Sequence, residues 1–447
     1  MNFDSIKKSL IAALEENKVE KYEVYYFSSK GTSVDTLNNE INAFSDGTTG
    51  GICLRVVENG KIGYASSELM TDAEMQNLVY RALENAKYIE KEDTVGLFAG
   101  SDSYETPNCK KYVPLETSHL KSLAIDIADK MYKYSDKIKD GTSSSAFASE
   151  FSIRLFNSFG LDLENHCGVN GVIADAVVCD KDEFESAYSF KEYSKELDVC
   201  EISHKAVNDA LEKIGSSLVP TGKYNVIIDG KQMRSILSAF SSVFSSKNAQ
   251  MGLSLLAGKE GEVIASDIVT ITDDPMREGV SIQTHFDGEG VATHRKNVIE
   301  NGVLKTLLYN RETALKAGKE TTANASKGSY AAPIGISPYA FCIEAGDKTL
   351  DQLFEMAENG IYVTAVKGLH AGVNAASGDF SIESAGFLIK DGKKAEAVKS
   401  FTIAGNFFQI LKSISALSDK VELGVPSGFT IFGSPAVLIK DMSVAGK

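Results

Sequence analysis

Asp-Gly and Asn-Gly pairs stand between runs of alternating apolar and polar residues along this chain, and that combination constrains the fold more than any other feature. A two-residue hairpin loop needs positive φ at one or both positions, which Gly, Asn and Asp tolerate best. Each such pair between two alternating runs therefore predicts a tight antiparallel hairpin. Asp46-Gly47 and Asn59-Gly60 separate "YEVYYFSS", "GGICLRVV" and "GKIGYAS" within residues 22–66, and Asp287-Gly288, Asn301-Gly302 and Asp391-Gly392 give the same signal in the second half. Sheet with much antiparallel pairing is the consequence.

Helical periods interrupt these runs. "MNFDSIKKSLIAALEENK" carries apolar residues at 3, 6, 10, 11 and 14, an amphipathic first helix. Residues 71–90 open with Thr and Asp as cap candidates and continue with helical spacing. Further helices are expected near 117–138, 199–215, 349–359 and 405–418, with strands around 144–157, 170–180 and at "YNVIID". The class is α+β: an N-terminal strand meander with a helix, a middle α/β segment, and a mixed C-terminal unit rich in antiparallel sheet. At 447 residues the chain exceeds one ordinary core. The polar, turn-rich stretch 100–112 reads as a linker and Pro220-Thr-Gly marks a change of character, which gives domains 1–105, 106–219 and 220–447.

The net charge of −15 opposes attraction to nucleic-acid phosphates, so no direct nucleic-acid contact is expected. Asp4, Glu15 and Glu16 spoil the apolar run that a signal peptide needs, and no stretch has the 18 or so apolar residues that would span a bilayer. Six cysteines at 53, 109, 167, 179, 200 and 342 form no Cys-x-x-Cys pair, which suits free thiols in a reducing compartment. The expectation is a cytoplasmic protein with no membrane association.

Chemistry-bearing motifs are scarce. The chain has no Gly-x-Ser-x-Gly elbow, P-loop or dinucleotide fingerprint. Its six histidines, at 119, 166, 204, 285, 294 and 370, include no two that are three to five apart. A metal would have to be assembled from distant residues, with His285 and His294 and the acids between them, Asp287 and Glu289, as weak candidates. "HFDGEGVATH" reads more simply as two strand ends around a polar turn. His166-Cys167 makes no dyad, because adjacent strand residues point to opposite faces. His370 lies in the glycine-rich "GLHAGVNAASGDFS", a loop that could carry function or could simply satisfy its own neighbourhood.

"SILSAFSSVFSSK", residues 235–247, is unusual for a different reason. Met233, Ile236, Leu237, Phe240, Val243 and Phe244 recur at helical spacing and predict one buried face. Six serines in thirteen residues compete with the helix backbone for hydrogen bonds, so the site has to account for them.

Four ordered blocks carry a resemblance: "IASDIVTITDDP" (264–275), "DGEGVATHRKNVIENGVLKTLLYNRETALKAG" (287–318), "GLHAGVNAASGDFSIESAGFLIKDGK" (368–393) and "FTIAGNFFQIL" (401–411). Together with "GICLRVVENGKIGYASS" (51–67), they resemble the TldD/PmbA family of peptide-maturation proteins, once described as modulators of DNA gyrase. "GDFSIESAGFLI" and "SFTIAGN" place the resemblance nearest the PmbA branch, also called TldE.

The resemblance implies two homologous subunits paired into a metalloprotease that matures small peptides. It also implies that the TldD subunit holds zinc through His-Glu-x-x-x-His on a helix. Counting back from "AGKEGEVIAS" (257–266) puts that motif on "LSAFSS", with Leu237 and Ser242 in place of the histidines and Ser238 in place of the glutamate. None of the three is a zinc ligand or base of useful strength. The expectations are no catalytic residue and no metal on this chain, zinc on a TldD-like catalytic partner, and a heterodimer with it or a homodimer. An unfolded peptide would bind near His370, Asn374, Gly378, Asp379 and Phe380. Two alternatives stand beside this reading: a hydrolase with an unrecognised metal or nucleophile site, and a protein-binding regulator of a gyrase or antitoxin complex.

Overall fold

The computed structural model describes residues 3–90, 94–109 and 111–447. Its first half is built on one sheet. Helix α1 (Phe3–Glu16) precedes strands β1 (Tyr22–Leu37), β2 (Glu40–Glu58) and β3 (Lys61–Ser67), then helices α2 (Asp72–Tyr88) and α3 (Thr117–Tyr134). Strands β4 (Ser143–Asn157), β5 (Asp162–Asp180) and β6 (Glu183–Glu192) and helix α4 (Val199–Leu211) follow. The strand order is β3-β2-β1-β4-β5-β6, with β1 paired antiparallel to both β2 and β4. The segments 1–105 and 106–219 thus share a sheet, while each keeps its own core. Leu10, Leu54 and Leu78 pack between α1, α2 and the first strands, and Leu120, Val172 and Val207 pack under α3 and α4.

The hairpins follow the turn chemistry closely. Asn59-Gly60, Asn301-Gly302 and Asp391-Gly392 all adopt positive φ at both positions and each closes a two-residue hairpin. Asp46-Gly47 does not turn. It lies inside β2 opposite Gly31 and Thr32, and the Thr32 hydroxyl donates to the Asp46 carboxylate at 2.9 Å. The hairpin turns instead at Asn38-Asn39, both at positive φ, so β1 and β2 run longer than the alternation suggests. Lys181-Asp182 makes the same turn without glycine and adds β6. The stretch expected as a linker is a strap. Tyr104 donates to the Gly290 carbonyl at 2.7 Å, and the backbone N–H groups of Asn108 and Cys109 both donate to Gln283 Oε1.

The second half begins with β7 (Gly222–Ile228), α5 (Gly230–Phe240), a 3-10 turn (Ser241–Phe244) and α6 (Ser246–Gln250). There follow β8 (Ile271–Asp273), β9 (Lys296–Glu300), β10 (Val303–Leu304), α7 (Arg311–Ala317), β11 (Ala325–Ser326), β12 (Gly335–Ile336), β13 (Ala340–Ile343) and α8 (Leu350–Ala357). The chain ends with β14 (Gly360–Lys367), β15 (Val373–Asn374), β16 (Asp379–Lys390), β17 (Lys393–Asn406), α9 (Phe407–Ser413), β18 (Ile414–Leu417), β19 (Glu422–Leu423), β20 (Ile431–Ser434) and β21 (Val437–Ala445). One sheet runs β14-β7-β21-β17-β16, and β14 pairs again with β16, so the pairing closes on itself and hides its edges. The other runs β10-β9-β8-β13-β20-β19. The helix expected over 405–418 stops at Ser413, where Ile414–Leu417 joins β21 as a strand. This is the mixed α+β architecture expected from the turn pattern.

Candidate functional site

Helix α5 stands between the two C-terminal sheets. Asp229 caps its start by accepting the Lys231 N–H at 3.0 Å, and the Tyr362 hydroxyl donates to the same carboxylate at 2.5 Å. Burial, then the Asp229 charge, pushes the Tyr362 phenol above its ordinary pKa, so it stays a donor. Gly230 permits a close approach, since a Cβ there would lie 2.6 Å from the Ser434 carbonyl oxygen in β20. Met233, Ile236, Leu237 and Phe240 form the buried stripe, and Phe240 stacks on Phe407 with ring centroids 4.5 Å apart.

The continuous helix expected to run on through Phe244 breaks at Ser241. The Ser241 hydroxyl donates to the Ser238 carbonyl at 2.8 Å, and the Ser246 N–H leaves the helix to donate to the Leu308 carbonyl at 3.0 Å. These bonds account for part of the serine loading. Ser235 returns its hydroxyl proton to the Lys231 carbonyl, and Ser246 bonds the Thr313 hydroxyl in a buried site. Among the described residues, Ser238, Ser242 and Ser245 are left with unbonded hydroxyls.

Ser238 faces a cavity of about 650 Å³, shared with Arg234, Leu369, His370, Val373 and Phe432. His370, far away in sequence, therefore lines the same cavity as the serine helix. A neighbouring cavity of about 650 Å³ shares Tyr188, Ser235 and Leu369 with the first and extends between α4 and the closed sheet. Lys213 lines this second cavity, donates to the Ser186 carbonyl at 2.6 Å, and has its pKa lowered by burial. The two adjoin through Tyr188, Ser235 and Leu369 as one groove whose lining mixes apolar side chains, hydroxyls and both signs of charge.

The other residues of the glycine-rich block hold the groove's wall. Asn374 Oδ1 accepts the N–H groups of Ala376 and Ser377, and Asp379 Oδ1 accepts from Asn406 Nδ2 at 2.9 Å. Gly378 turns at φ +81°, where an added Cβ would meet the Phe408 ring at 2.7 Å. Phe380 is buried, with its ring edge-on to Phe240 at 6.3 Å. Only His370 of the five reaches the cavity.

The positions matched to the zinc motif do not fit a metal. Leu237 is fully buried in the apolar core, Ser238 faces the cavity, and Ser242 is exposed in the 3-10 turn. Three neutral groups pointing three ways supply neither the donors nor the convergence zinc needs. The weak candidates fare similarly. Asp287 accepts backbone N–H groups from Glu289, Val291 and Ala325, and Glu289 accepts that of Arg311. His285 packs edge-on to Tyr104 and Phe286, and burial lowers its pKa, while His294 is exposed. Among the described residues, no group of three or more His, Cys, Asp or Glu side chains is placed to hold a metal ion.

Residues 221–446 match the PmbA/TldA metallopeptidase C-terminal domain, and residues 22–86 match domain 1 of the same family. The chain belongs to the PmbA/TldD metallopeptidase family. An uncharacterized protein of Methanocaldococcus jannaschii is 29% identical over 406 residues, covering 90% of this chain and 92% of that one. The metalloprotease PmbA of Escherichia coli O157:H7 is 24% identical, covering 99% and 96%. A Thermotoga maritima crystal structure, described as a proposed modulator of a DNA gyrase, superposes with TM-score 0.89 at 27% identity over 99% of this chain and all of that one. TldE from Thermococcus kodakarensis gives TM-score 0.88 at 22% identity over 99% and 100%, a likeness of fold.

Within this PmbA/TldD chain, the meeting of His370 with Ser238 escaped sequence reasoning, because 132 residues separate them and neither belongs to a local motif. The Asp229–Tyr362 bond was equally hidden. Asp229 before a helical stripe is a legible cap signal; its second partner is not.

Proposed function

We propose that this chain is the TldE-like, non-catalytic subunit of a TldD/TldE-type metalloprotease that matures small peptides. Its TldD-like partner would carry the zinc. The observation that carries the reading is Leu237: the motif position holds a fully buried leucine in the apolar core of α5. The groove beside α5 is then a place to hold an unfolded peptide. Leu369, Val373 and Phe432 offer apolar contact, while His370 and Ser238 offer hydrogen bonds to peptide amides. The chain would position substrate for chemistry done elsewhere, as a heterodimer in the cytoplasm.

The test measures zinc content and peptide cleavage on the same samples, first this chain alone and then mixed with a TldD-like homologue. Stoichiometric zinc and activity that appear only with the partner support the reading. One zinc per chain with cleavage by the isolated chain overturns it.

A second reading has one observation in its favour, the shared cavity of Ser238 and His370. A serine nucleophile needs its base at about 2.6–3.2 Å, and no hydrogen bond joins these two side chains. Labelling of Ser238 by a fluorophosphonate, lost in His370→Ala, is the result that would favour it.

A further inference from the structure

A separate cavity of about 340 Å³ lies where the N-terminal sheet meets the C-terminal body, away from α5. Tyr25 and Phe27 of β1 form one wall, and Phe286 and Phe429 the other. The volume falls in the usual range for a small-molecule site.

Its basic group is Lys327. The ammonium sits 4.9 Å above the centroid of the Tyr25 ring, beside the Cys53 thiol and within electrostatic reach of the buried Glu23 carboxylate, and forms no direct ion pair among the described residues. The cavity's own carboxylate, Asp287, offers no substitute, since both its oxygens already accept backbone N–H groups. A cation held by a ring face, beside a thiol and a carboxylate already paired with Arg55, keeps donors for an anion that enters through the cavity mouth. The same sheet face shows a deficit. Glu23 and Arg55 pair at 3.1 Å with 6% and 7% of their side chains exposed, yet Glu23 Oε2 and Arg55 Nε have no hydrogen-bond partner. Ser326, beside Lys327, also lines the cavity with an unbonded hydroxyl.

We propose that this cavity binds a carboxylate on a small aromatic or branched apolar body, with the carboxylate on Lys327 and Ser326 and the body among the four rings. The ligand would bridge the two halves of the chain, because β1 supplies one wall and the C-terminal body the other. Binding here requires no peptide cleavage and is independent of the α5 groove.

Calorimetric titration of the full chain tests this with three probes: 3-phenylpropionate, its uncharged amide, and the peptide Ala-Ala-Ala-Phe with a free C-terminus. Saturable one-to-one binding of the acid is expected with Kd of about 1 mM or tighter, with the amide at least about tenfold weaker. Lys327→Met should weaken the acid by about tenfold or more, and Lys327→Arg should retain it. Ser427→Trp, at the exposed mouth, should abolish binding without lowering the melting temperature. Competition between peptide and acid identifies the natural carboxylate as a chain end, and failure of the peptide to bind identifies a free small molecule. No saturable binding of the acid up to about 10 mM, or equal binding by the amide or by Lys327→Met, overturns the proposal.

Discussion

Replacing Leu237 with histidine separates two accounts of α5, one in which only ligands are missing and one in which the geometry of a metal site is missing too. Leu237 has no solvent exposure and lies in the core with Met233, Ile236 and Phe240. Burying a leucine side chain is worth about 1.5–3 kcal/mol. An imidazole in its place brings polar nitrogens with no partner nearby, a further cost of about 1–3 kcal/mol. The substitution should therefore destabilise the chain by about 3–6 kcal/mol, a large part of the roughly 5–15 kcal/mol of a typical domain. For a body of this size that is a drop in melting temperature of roughly 6–24 °C. Ser242→His, exposed, should cost under about 0.5 kcal/mol. Thermal unfolding with zinc and with chelator is the assay, on Leu237→His and on the triple variant Leu237→His, Ser238→Glu, Ser242→His. A usable site would stabilise the chain by about 2.7 kcal/mol at a zinc concentration a hundredfold above Kd. No such gain is expected, because residues 237, 238 and 242 do not converge. A loss below about 1 kcal/mol, or a melting temperature restored by zinc, would show that position 237 faces the cavity and refute the reasoning.

Other substitutions probe the same region. Phe240→Ala removes a fully buried ring stacked on Phe407 and should cost about 3–5 kcal/mol by denaturant titration; a loss under 1 kcal/mol contradicts the packing. His370→Ala, at an exposed position, should leave stability within about 0.5 kcal/mol while lowering peptide processing by the mixed subunits several-fold. Unchanged processing removes His370 from the substrate groove. Gly378→Ala should destabilise by about 1 kcal/mol or more, through its positive φ and its clash with Phe408, as read by the melting temperature. Asp287 has its pKa pushed up to about 7 by burial and then by Glu289, so the folded chain holds a proton that the unfolded chain releases. Its contribution to stability is present below the ordinary carboxylate range and is lost as pH rises towards 7. Between pH 4 and 7, the gap in stability between wild type and Asp287→Asn should shift steadily in the variant's favour; a pH-independent gap contradicts the assignment.

Legibility in the sequence followed the range of the interaction. Hairpins at Asn59-Gly60, Asn301-Gly302 and Asp391-Gly392 were readable because turn chemistry is local. Asn38-Asn39 and Lys181-Asp182 adopt the same backbone without glycine, so the long β1–β2 pair and the whole of β6 were understated. Asp46-Gly47 misled for the converse reason: in an extended strand opposite Gly31, glycine costs conformational entropy without making a turn. In the candidate site, the buried stripe of α5 was legible from its period, but not its break at Ser241, which depends on Leu308. Nor could periodicity show that Phe380 serves the core while His370, ten residues earlier, faces the cavity.

The α5 helix keeps its packing without a ligating side chain at positions 237, 238 and 242. Its stripe of Met233, Ile236, Leu237 and Phe240 is held by α9 through Phe407, by the glycine-rich block through Phe380, and at its start by Asp229 and Tyr362. Those contacts use only the inward side of the helix, so serine on the outward side costs little provided its hydroxyl finds a backbone carbonyl or open space. Ser235 and Ser241 take carbonyls; Ser238 takes the cavity. A helix so anchored has no structural need for a metal, and the leucine at 237 adds packing that a ligating histidine would forgo. The position is therefore committed to the core, and the proposed substrate groove is shaped on the other side of α5, where Ser238 and His370 line one cavity.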